Sequence, residues 1–145
     1  CYSWNNLQNY GEAVAACDRA LAIAPDHIQS LLSKGYALEQ QRQPDAALAL
    51  YDQVLSLDPD YTDAWNNRGG IMFRQQRFEE ALAAFDRARE INPGFAEAWN
   101  NRGAALWELR RFDDAIASID KAIALQPDYP EAQDLRAQIR QKLGR

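Results

Sequence analysis

Few side chains in this sequence of 145 residues are placed for catalysis. His27 is the only histidine, and tyrosine or phenylalanine occupies the corresponding positions farther along the chain, so we interpret it as a packing residue. The sequence contains no glycine-rich phosphate loop, serine elbow or HExxH motif, and its carboxylates form no isolated convergent pair. Cys1 and Cys17 stand where small core residues belong, which favours buried thiols over a disulfide. The sequence therefore predicts no enzyme activity, no metal site and no cofactor.

Two asparagine pairs offer a different chemistry, the binding of a polypeptide backbone. Asn66-Asn67 and Asn100-Asn101 stand 34 residues apart. Asparagine is a poor residue for the interior of a helix, because its side chain competes for backbone hydrogen bonds. Its amide supplies both a donor and an acceptor, as a peptide group does. The pairs are therefore candidate ligands for an extended peptide, and the alternative is that they fix neighbouring helices to each other.

The elements that position these residues repeat with the same period of 34. Prolines, glycines and alanines form columns at this spacing: Pro25, Pro59, Pro93 and Pro127; a glycine column of Gly35, Gly69 and Gly103; and an alanine column of Ala13, Ala47, Ala81 and Ala115. Within each period the apolar residues follow helical spacing in two stretches. Each repeat is therefore predicted to be two antiparallel helices joined by a short turn.

The columns also predict how the helices begin and pack. Aspartates that follow the prolines are predicted to be N-caps of the first helices: Asp26, Asp60 and Asp128. The glycine column falls inside those helices, where glycine costs about 1 kcal/mol relative to alanine. We expect close packing against the alanine column of the second helices to offset this cost.

A charged ladder follows the same period. A basic residue precedes each glycine of the column, and a further arginine precedes Ala137; an aspartate lies 16 residues upstream of each. The pairs are Asp18 and Lys34, Asp52 and Arg68, Asp86 and Arg102, and Asp120 and Arg136. We predict ion pairs between successive repeats, and the alternative is two unrelated solvated columns.

These columns resemble the tetratricopeptide repeat. Trp65-Asn-Asn-Arg-Gly69, followed by Ala81, Phe85, Ala88 and Pro93, carries its pattern, and copies begin at Leu31 and Trp99. The resemblance covers essentially the whole chain and implies an all-α fold, a right-handed superhelical solenoid of antiparallel helix pairs. It implies a single domain over 1–145, with a partial repeat at 1–27, full repeats at 28–61, 62–95 and 96–129, and a capping helix at 130–145. The partial first repeat leads us to expect a fragment of a larger protein.

The resemblance further implies a concave groove that binds an extended peptide or partner protein. Its predicted lining consists of asparagines, aromatic anchors and an arginine: Tyr36, Asn66, Asn67, Phe73, Arg74, Asn100, Asn101 and Trp107. The column of Asn67 and Asn101 is similar to the asparagine ladder in the tetratricopeptide superhelix of O-GlcNAc transferase. For the aromatic residues, the alternative is packing against the adjacent helix.

Charge narrows the class of partner. The net charge of −5 argues against nucleic acid, and no apolar run approaches the roughly 18 residues that membrane insertion requires. The predicted groove carries more acids than bases, which favours a neutral or basic peptide and disfavours the acidic tails of chaperones. The predicted function is a protein–protein interaction scaffold with a cytoplasmic location. The alternative is a structural spacer or regulatory repeat segment of a larger protein, without a groove ligand.

Overall fold

A computed structural model describes residues 9–144, which fold into eight α-helices without a strand. The helices are α1 (Tyr10–Ile23), α2 (Ile28–Gln40), α3 (Pro44–Leu57), α4 (Thr62–Arg74), α5 (Phe78–Ile91), α6 (Ala96–Glu108), α7 (Phe112–Leu125) and α8 (Pro130–Leu143). Short turns join α2 to α3, α4 to α5 and α6 to α7, as the two-helix repeat predicts. In this part of the chain, no helix is long and apolar enough to cross a membrane.

The chain forms two compact units, one ending at Ala64 and one beginning at Trp65. In the first unit α1 packs on α2 and α2 packs on α3. In the second unit α5, α6, α7 and α8 pack in succession, and α6 also contacts α8. The last helix packs through one apolar face, on which Ala132 and Ile139 are fully buried and Leu135 packs against the core.

The core of the first unit includes Cys17, which is fully buried as predicted. Its sulfur is disulfide-bonded, so the prediction of a buried thiol is wrong at this residue. Cys1, the other cysteine of the sequence, lies outside the described residues.

Each glycine of the column makes room for a large residue of the opposite helix. A Cβ atom on Gly35 would lie 2.7 Å from Cε1 of Tyr51, and one on Gly69 would lie 2.6 Å from Cε1 of Phe85. Such distances fall well below the ~3.5–4.0 Å of favourable carbon contacts. The nearest side chain is therefore the large residue four positions after the alanine column, and not the alanine that the sequence predicted.

The turn between the two helices of a repeat places a residue other than glycine in the left-handed region. In the three turns this residue is Arg42, Gln76 or Arg110, each with a φ of about 60°. In the second of these turns the N–H of Gln76 donates to the carbonyl of Phe73, and the N–H of Arg77 donates to that of Met72, both at 2.9 Å. This is the Schellman hydrogen-bond pattern, which satisfies the last carbonyl groups of the helix.

The prediction of aspartate N-caps is wrong for α2 and α8. These helices start one residue later, and together with α6 they have N-caps without a side-chain hydrogen bond: His27, Phe95 and Tyr129.

Side chains immediately before the prolines stabilise the turns between repeats. Oδ1 of Asp58 accepts from the N–H of Asp60 at 3.1 Å, and Oδ1 of Asn92 accepts from the N–H of Gly94 at 3.2 Å.

Three of the four predicted ion pairs form within the units, and the fourth has one residue in each unit. The distances are 2.6 Å for Lys34 and Asp18, 2.6 Å for Arg102 and Asp86, and 3.5 Å for Arg136 and Asp120. The most enclosed pair joins α5 to α6, with side-chain exposures of 18% for Arg102 and 30% for Asp86. Arg102 also donates to the hydroxyl of buried Ser118, so it links α5, α6 and α7.

Neighbouring glycines of α4 give a direct test of the close helix contact. We expect Gly69→Ala to lower the free energy of unfolding by about 1–2 kcal/mol, because overpacking against Phe85 outweighs the gain in helix propensity. Gly70→Ala is the matched control, since a Cβ there meets nothing nearer than Nη1 of Arg74 at 4.0 Å. It should raise stability by about 0.5–1 kcal/mol. Equal effects of the two substitutions in urea denaturation would contradict the packing argument.

A double-mutant cycle tests the ion pair between α5 and α6. For Asp86→Ala and Arg102→Ala we expect a coupling energy of about 1–2 kcal/mol, between the values typical of exposed and buried pairs. Arg87 and Glu90 form the control pair, at 3.7 Å with exposures of 44% and 54%. Their coupling should be close to zero, and a value as large as that of the first pair would show that enclosure has no effect.

Candidate functional site

Of the four predicted asparagines, Asn66 is buried and the other three are half-buried. Asn66 is only 4% exposed, and both ends of its amide are engaged. Its Nδ2 donates to Oε1 of Glu97 at 3.2 Å, and its Oδ1 accepts from Nδ2 of Asn101 at 3.1 Å. Asn66 therefore joins α4 to α6, which is the helix-fixing alternative, and its side chain has no atom left for a ligand.

Asn67 and Asn101 keep hydrogen-bonding capacity that the protein does not use. Both residues are half-buried. Among residues 9–144, the amide of Asn67 has no hydrogen-bond partner, and Asn101 engages only its Nδ2. The bond between Asn101 and Asn66 brings α6 beside α4 at this point, so Asn67 lies next in sequence to the residue that Asn101 contacts. Two amides with unused atoms thus stand on neighbouring helices.

Asn100 belongs to a separate contact with the loop before α8. Its side chain lies beside the Tyr129 phenol, while its Oδ1 is buried without a hydrogen-bond partner among the described residues. The pKa of the Tyr129 phenol is raised above its ordinary value, first by burial and then by the negative charges of Glu97 and Glu131. Asn100 therefore lies beside the loop before α8, away from the bond between Asn66 and Asn101, and it stays a predicted groove residue.

The aromatic residues Phe73 and Trp107 pack against the second helix of their own repeat. The ring of Phe73 meets Phe78 edge-on with 5.3 Å between centroids, and Trp107 meets Phe112 at 5.1 Å. Both side chains are partly buried against the core of the second unit. Each therefore has a core-facing side, as the alternative of helix packing expected, and also an accessible side.

A small cavity opens beside Trp107. It has a volume of about 210 Å³ and is lined by Trp107, Glu108, Arg110, Phe112 and Lys142. Aromatic rings form part of its wall, and charged groups of both signs surround it. A cavity of this size accommodates one side chain of a bound polypeptide.

The other two predicted groove residues lie apart from this arrangement. Tyr36 belongs to the first unit, where its ring is 43% exposed and meets the ring of Tyr10 edge-on at 6.3 Å. Arg74 is exposed at the end of α4. The structure therefore brings Asn66, Asn67 and Asn101 together, and it places Tyr36 outside the second unit.

Arginines at the turns are neutralised by acids in the first turn of the following helix. Arg77 contacts Glu80 at 2.6 Å, and Arg111 contacts Asp114 at 2.8 Å. The hydrogen bond from Arg77 lowers the pKa of the Glu80 carboxyl below its ordinary value. Within residues 9–144, no group of histidine, cysteine or acidic side chains is arranged to hold a metal ion.

Sequence patterns missed the role of Glu97. Its carboxylate accepts the hydrogen bond of Asn66 from the neighbouring helix, a contact that none of the repeat columns indicated. The two residues stand 31 positions apart, slightly less than one repeat, and that spacing was the available signal. The contact of Asn100 with Tyr129 has a similar spacing of 29.

Comparison with known proteins now decides the family. A sequence model of the tetratricopeptide repeat matches residues 32–94 and 73–130, and a second model of this repeat matches residues 5–27. This chain belongs to the tetratricopeptide repeat family. The predicted family and the all-α class are therefore confirmed. Members of this family are typically non-catalytic interaction scaffolds, and family and fold support such a role for this chain.

Solved tetratricopeptide structures share the fold of the chain. MamA superposes with a TM-score of 0.86 at 21% identity, covering 98% of this chain and 83% of MamA. The first TPR of Spaghetti (RPAP3), bound to the HSP90 peptide SRMEEVD, has a TM-score of 0.79 at 26% identity and covers 81% of this chain and 94% of that one. YrrB, a TPR protein with an unusual peptide-binding site, has a TM-score of 0.80 at 26% identity, with coverage of 92% and 69%. No curated protein sequence matches the chain significantly.

The raised pKa of Tyr129 predicts a pH dependence of stability. A phenol whose pKa is higher in the folded state stabilises the fold below pH 10.0, its ordinary pKa, and this stability is lost as the pH rises through the raised value. Tyr129→Phe removes the ionisation. We therefore expect the free energy of unfolding to fall less steeply above pH 10 in the Tyr129→Phe variant than in the wild type. Parallel curves for the two proteins would contradict the burial of this phenol.

Proposed function

We propose that the second unit binds an extended segment of a partner protein across α4 and α6. The observation that carries the proposal is the pair of half-buried amides, Asn67 and Asn101, whose unused atoms stand on neighbouring helices. A peptide backbone presents N–H and C=O groups at regular intervals, and asparagine amides can pair with both. Buried Asn66 supports the pair, because its bond to Asn101 holds the two helices in register.

The cavity beside Trp107 supplies the apolar part of the site. An aromatic surface that is partly exposed and backed by a packed neighbour is a typical anchor for a binding partner. Phe112 backs Trp107, so the indole is held in place before a ligand arrives. We propose that one side chain of the bound segment enters this cavity while its backbone contacts the asparagines.

Charge favours a neutral or basic segment. In the second unit, acidic side chains at groove positions are exposed and outnumber the basic ones: Glu97, Glu108, Glu131 and Asp134 against Arg74 and Lys142. Such a surface attracts positive charge and repels an acidic tail. RPAP3 binds the HSP90 peptide SRMEEVD, which carries three acids and one arginine, and the acids of this chain disfavour a ligand of that composition. Tyr36 stays a predicted contact of the first unit.

Selection from a random-sequence peptide library tests the proposal. Peptides that bind the immobilised wild-type chain should carry net positive charge, and their affinity should fall as salt concentration rises. The double variant Asn67→Ala, Asn101→Ala should bind the best peptide about tenfold more weakly or worse, because two hydrogen bonds are lost. Gln53→Ala, which removes an exposed amide from α3, is the control and should bind as the wild type does.

Two results would contradict the proposal. A library without any binding peptide would favour the alternative of a structural spacer. Selected peptides that bind the double variant as tightly as the wild type would show that the asparagines are not the ligand-binding residues. Circular dichroism and denaturation of each variant would establish that it is folded in both cases.

A further inference from the structure

The hydrogen bonds from Glu97 through Asn66 to Asn101 form a relay with a fixed direction. An ionised carboxylate only accepts hydrogen bonds, so the atom of Asn66 that faces Glu97 must be its amide nitrogen. The carbonyl oxygen of Asn66 then faces Asn101 and accepts from its amide nitrogen. The negative charge of Glu97 thus determines that the nitrogen of the Asn101 amide, and not its oxygen, is hydrogen-bonded to Asn66.

Burial of Asn66 makes this direction hard to reverse. If its amide turned over, its oxygen would face the carboxylate of Glu97 and its NH₂ group would face the NH₂ group of Asn101. Both contacts would be repulsive, and at 4% exposure little water is available to replace the lost hydrogen bonds. The oxygen of Asn101 therefore stays as the part of its amide that the protein leaves unused.

The neighbouring repeats lack this complete relay. Leu32 stands at the position that precedes Asn66 by one repeat, and its side chain has no hydrogen-bonding group. One repeat later, Leu135 replaces the third member of the relay. There the Oδ1 atom of Asn100, which corresponds to the Asn66 oxygen, is buried without a partner among the described residues. The relay therefore fixes the orientation of the side-chain amide of Asn101, and no such relay fixes that of Asn67.

We propose that Glu97, acting through Asn66, fixes the side-chain oxygen of Asn101 as the acceptor that a bound segment meets, whereas the amide of Asn67 can turn either end toward the segment. This inference rests on the proposed function. It identifies Glu97 and Asn66 as positioning residues and gives the site a chemical preference. Asn101 keeps one N–H of its Nδ2, but its free oxygen can only accept, so we expect proline or an N-alkylated residue to be disfavoured where the segment faces that oxygen.

Side-chain amide exchange measured by NMR tests the relay in the protein alone. In the wild type, the Nδ2 proton of Asn101 that is hydrogen-bonded to Asn66 should exchange with water about tenfold more slowly than the Nδ2 protons of Asn67, because its acceptor oxygen is buried. Glu97→Gln places an amide at the start of the relay that can donate as well as accept, and exchange at Asn101 should accelerate. Glu131→Gln removes the same charge at the corresponding position of α8 and should leave exchange at Asn101 slow. Equal rates at Asn67 and Asn101 in the wild type would overturn the relay.

Backbone N-methylation of the best peptide from the library tests the preference for an N–H group. Against the wild type, methylation at one position should weaken binding about tenfold, since it removes the donor opposite Asn101. That loss should shrink to less than about threefold against Glu97→Gln and against Asn101→Ala, and persist against Glu131→Gln. A purely structural role of Glu97 would weaken all the peptides alike and leave this ratio unchanged.

The outcomes separate the two proposals. If N-methylation weakens peptide binding equally for the wild type, Glu97→Gln and Asn101→Ala, the relay does not influence the ligand. The proposed function would still stand in that case. A library that yields no binding peptide overturns the proposed function, and this inference with it.

Discussion

The contact between Gly69 and the ring of Phe85 determines how closely the two helices of a repeat approach. The ring occupies the space that a side chain on α4 would fill, and Gly35 and Tyr51 meet in the same way in the first unit. The ion pair of Asp86 and Arg102 ties α5 to α6. The distance between α4 and α5 therefore also determines how far α4 lies from α6, the first helix of the next repeat. The hydrogen bond between Asn66 and Asn101 can form only when α4 and α6 stand at the resulting spacing.

The same contact explains how one helix serves two purposes. Gly69 of α4 faces the second helix of its own repeat, while Asn66, three residues earlier, bonds to the first helix of the next repeat. Asn67 follows directly and is left with an unengaged amide among the described residues. Packing, helix–helix alignment and a candidate ligand contact thus occupy neighbouring positions of one short helix.

Much of the fold could be predicted because the 34-residue period marks every helix. The period places prolines between repeats and glycines within first helices, and those features depend only on local chemistry. The partner of each glycine was mistaken because spacing alone does not distinguish Ala81 from Phe85, which lie four residues apart on the same helix face. The N-caps were mistaken because the backbone stays non-helical for one more residue, at His27 and Tyr129.

The candidate site could be predicted only as a set of residues. Asn66 and Asn67 are identical in type and adjacent in sequence, yet one is buried and the other is half-buried. Their difference arises from the neighbouring repeat, where Glu97 and Asn101 stand opposite Asn66. The fold itself is shared with MamA at 21% identity, so the fold alone does not reveal such differences between neighbouring residues.

A crystal structure of the chain with the best library peptide tests the central claim most directly. The account predicts a backbone N–H of the peptide about 2.9 Å from Oδ1 of Asn101, with Asn66 still bonded to Glu97 and Asn101. A peptide bound away from α4 and α6, or an Asn101 amide whose oxygen faces Asn66 instead of the peptide, would contradict it.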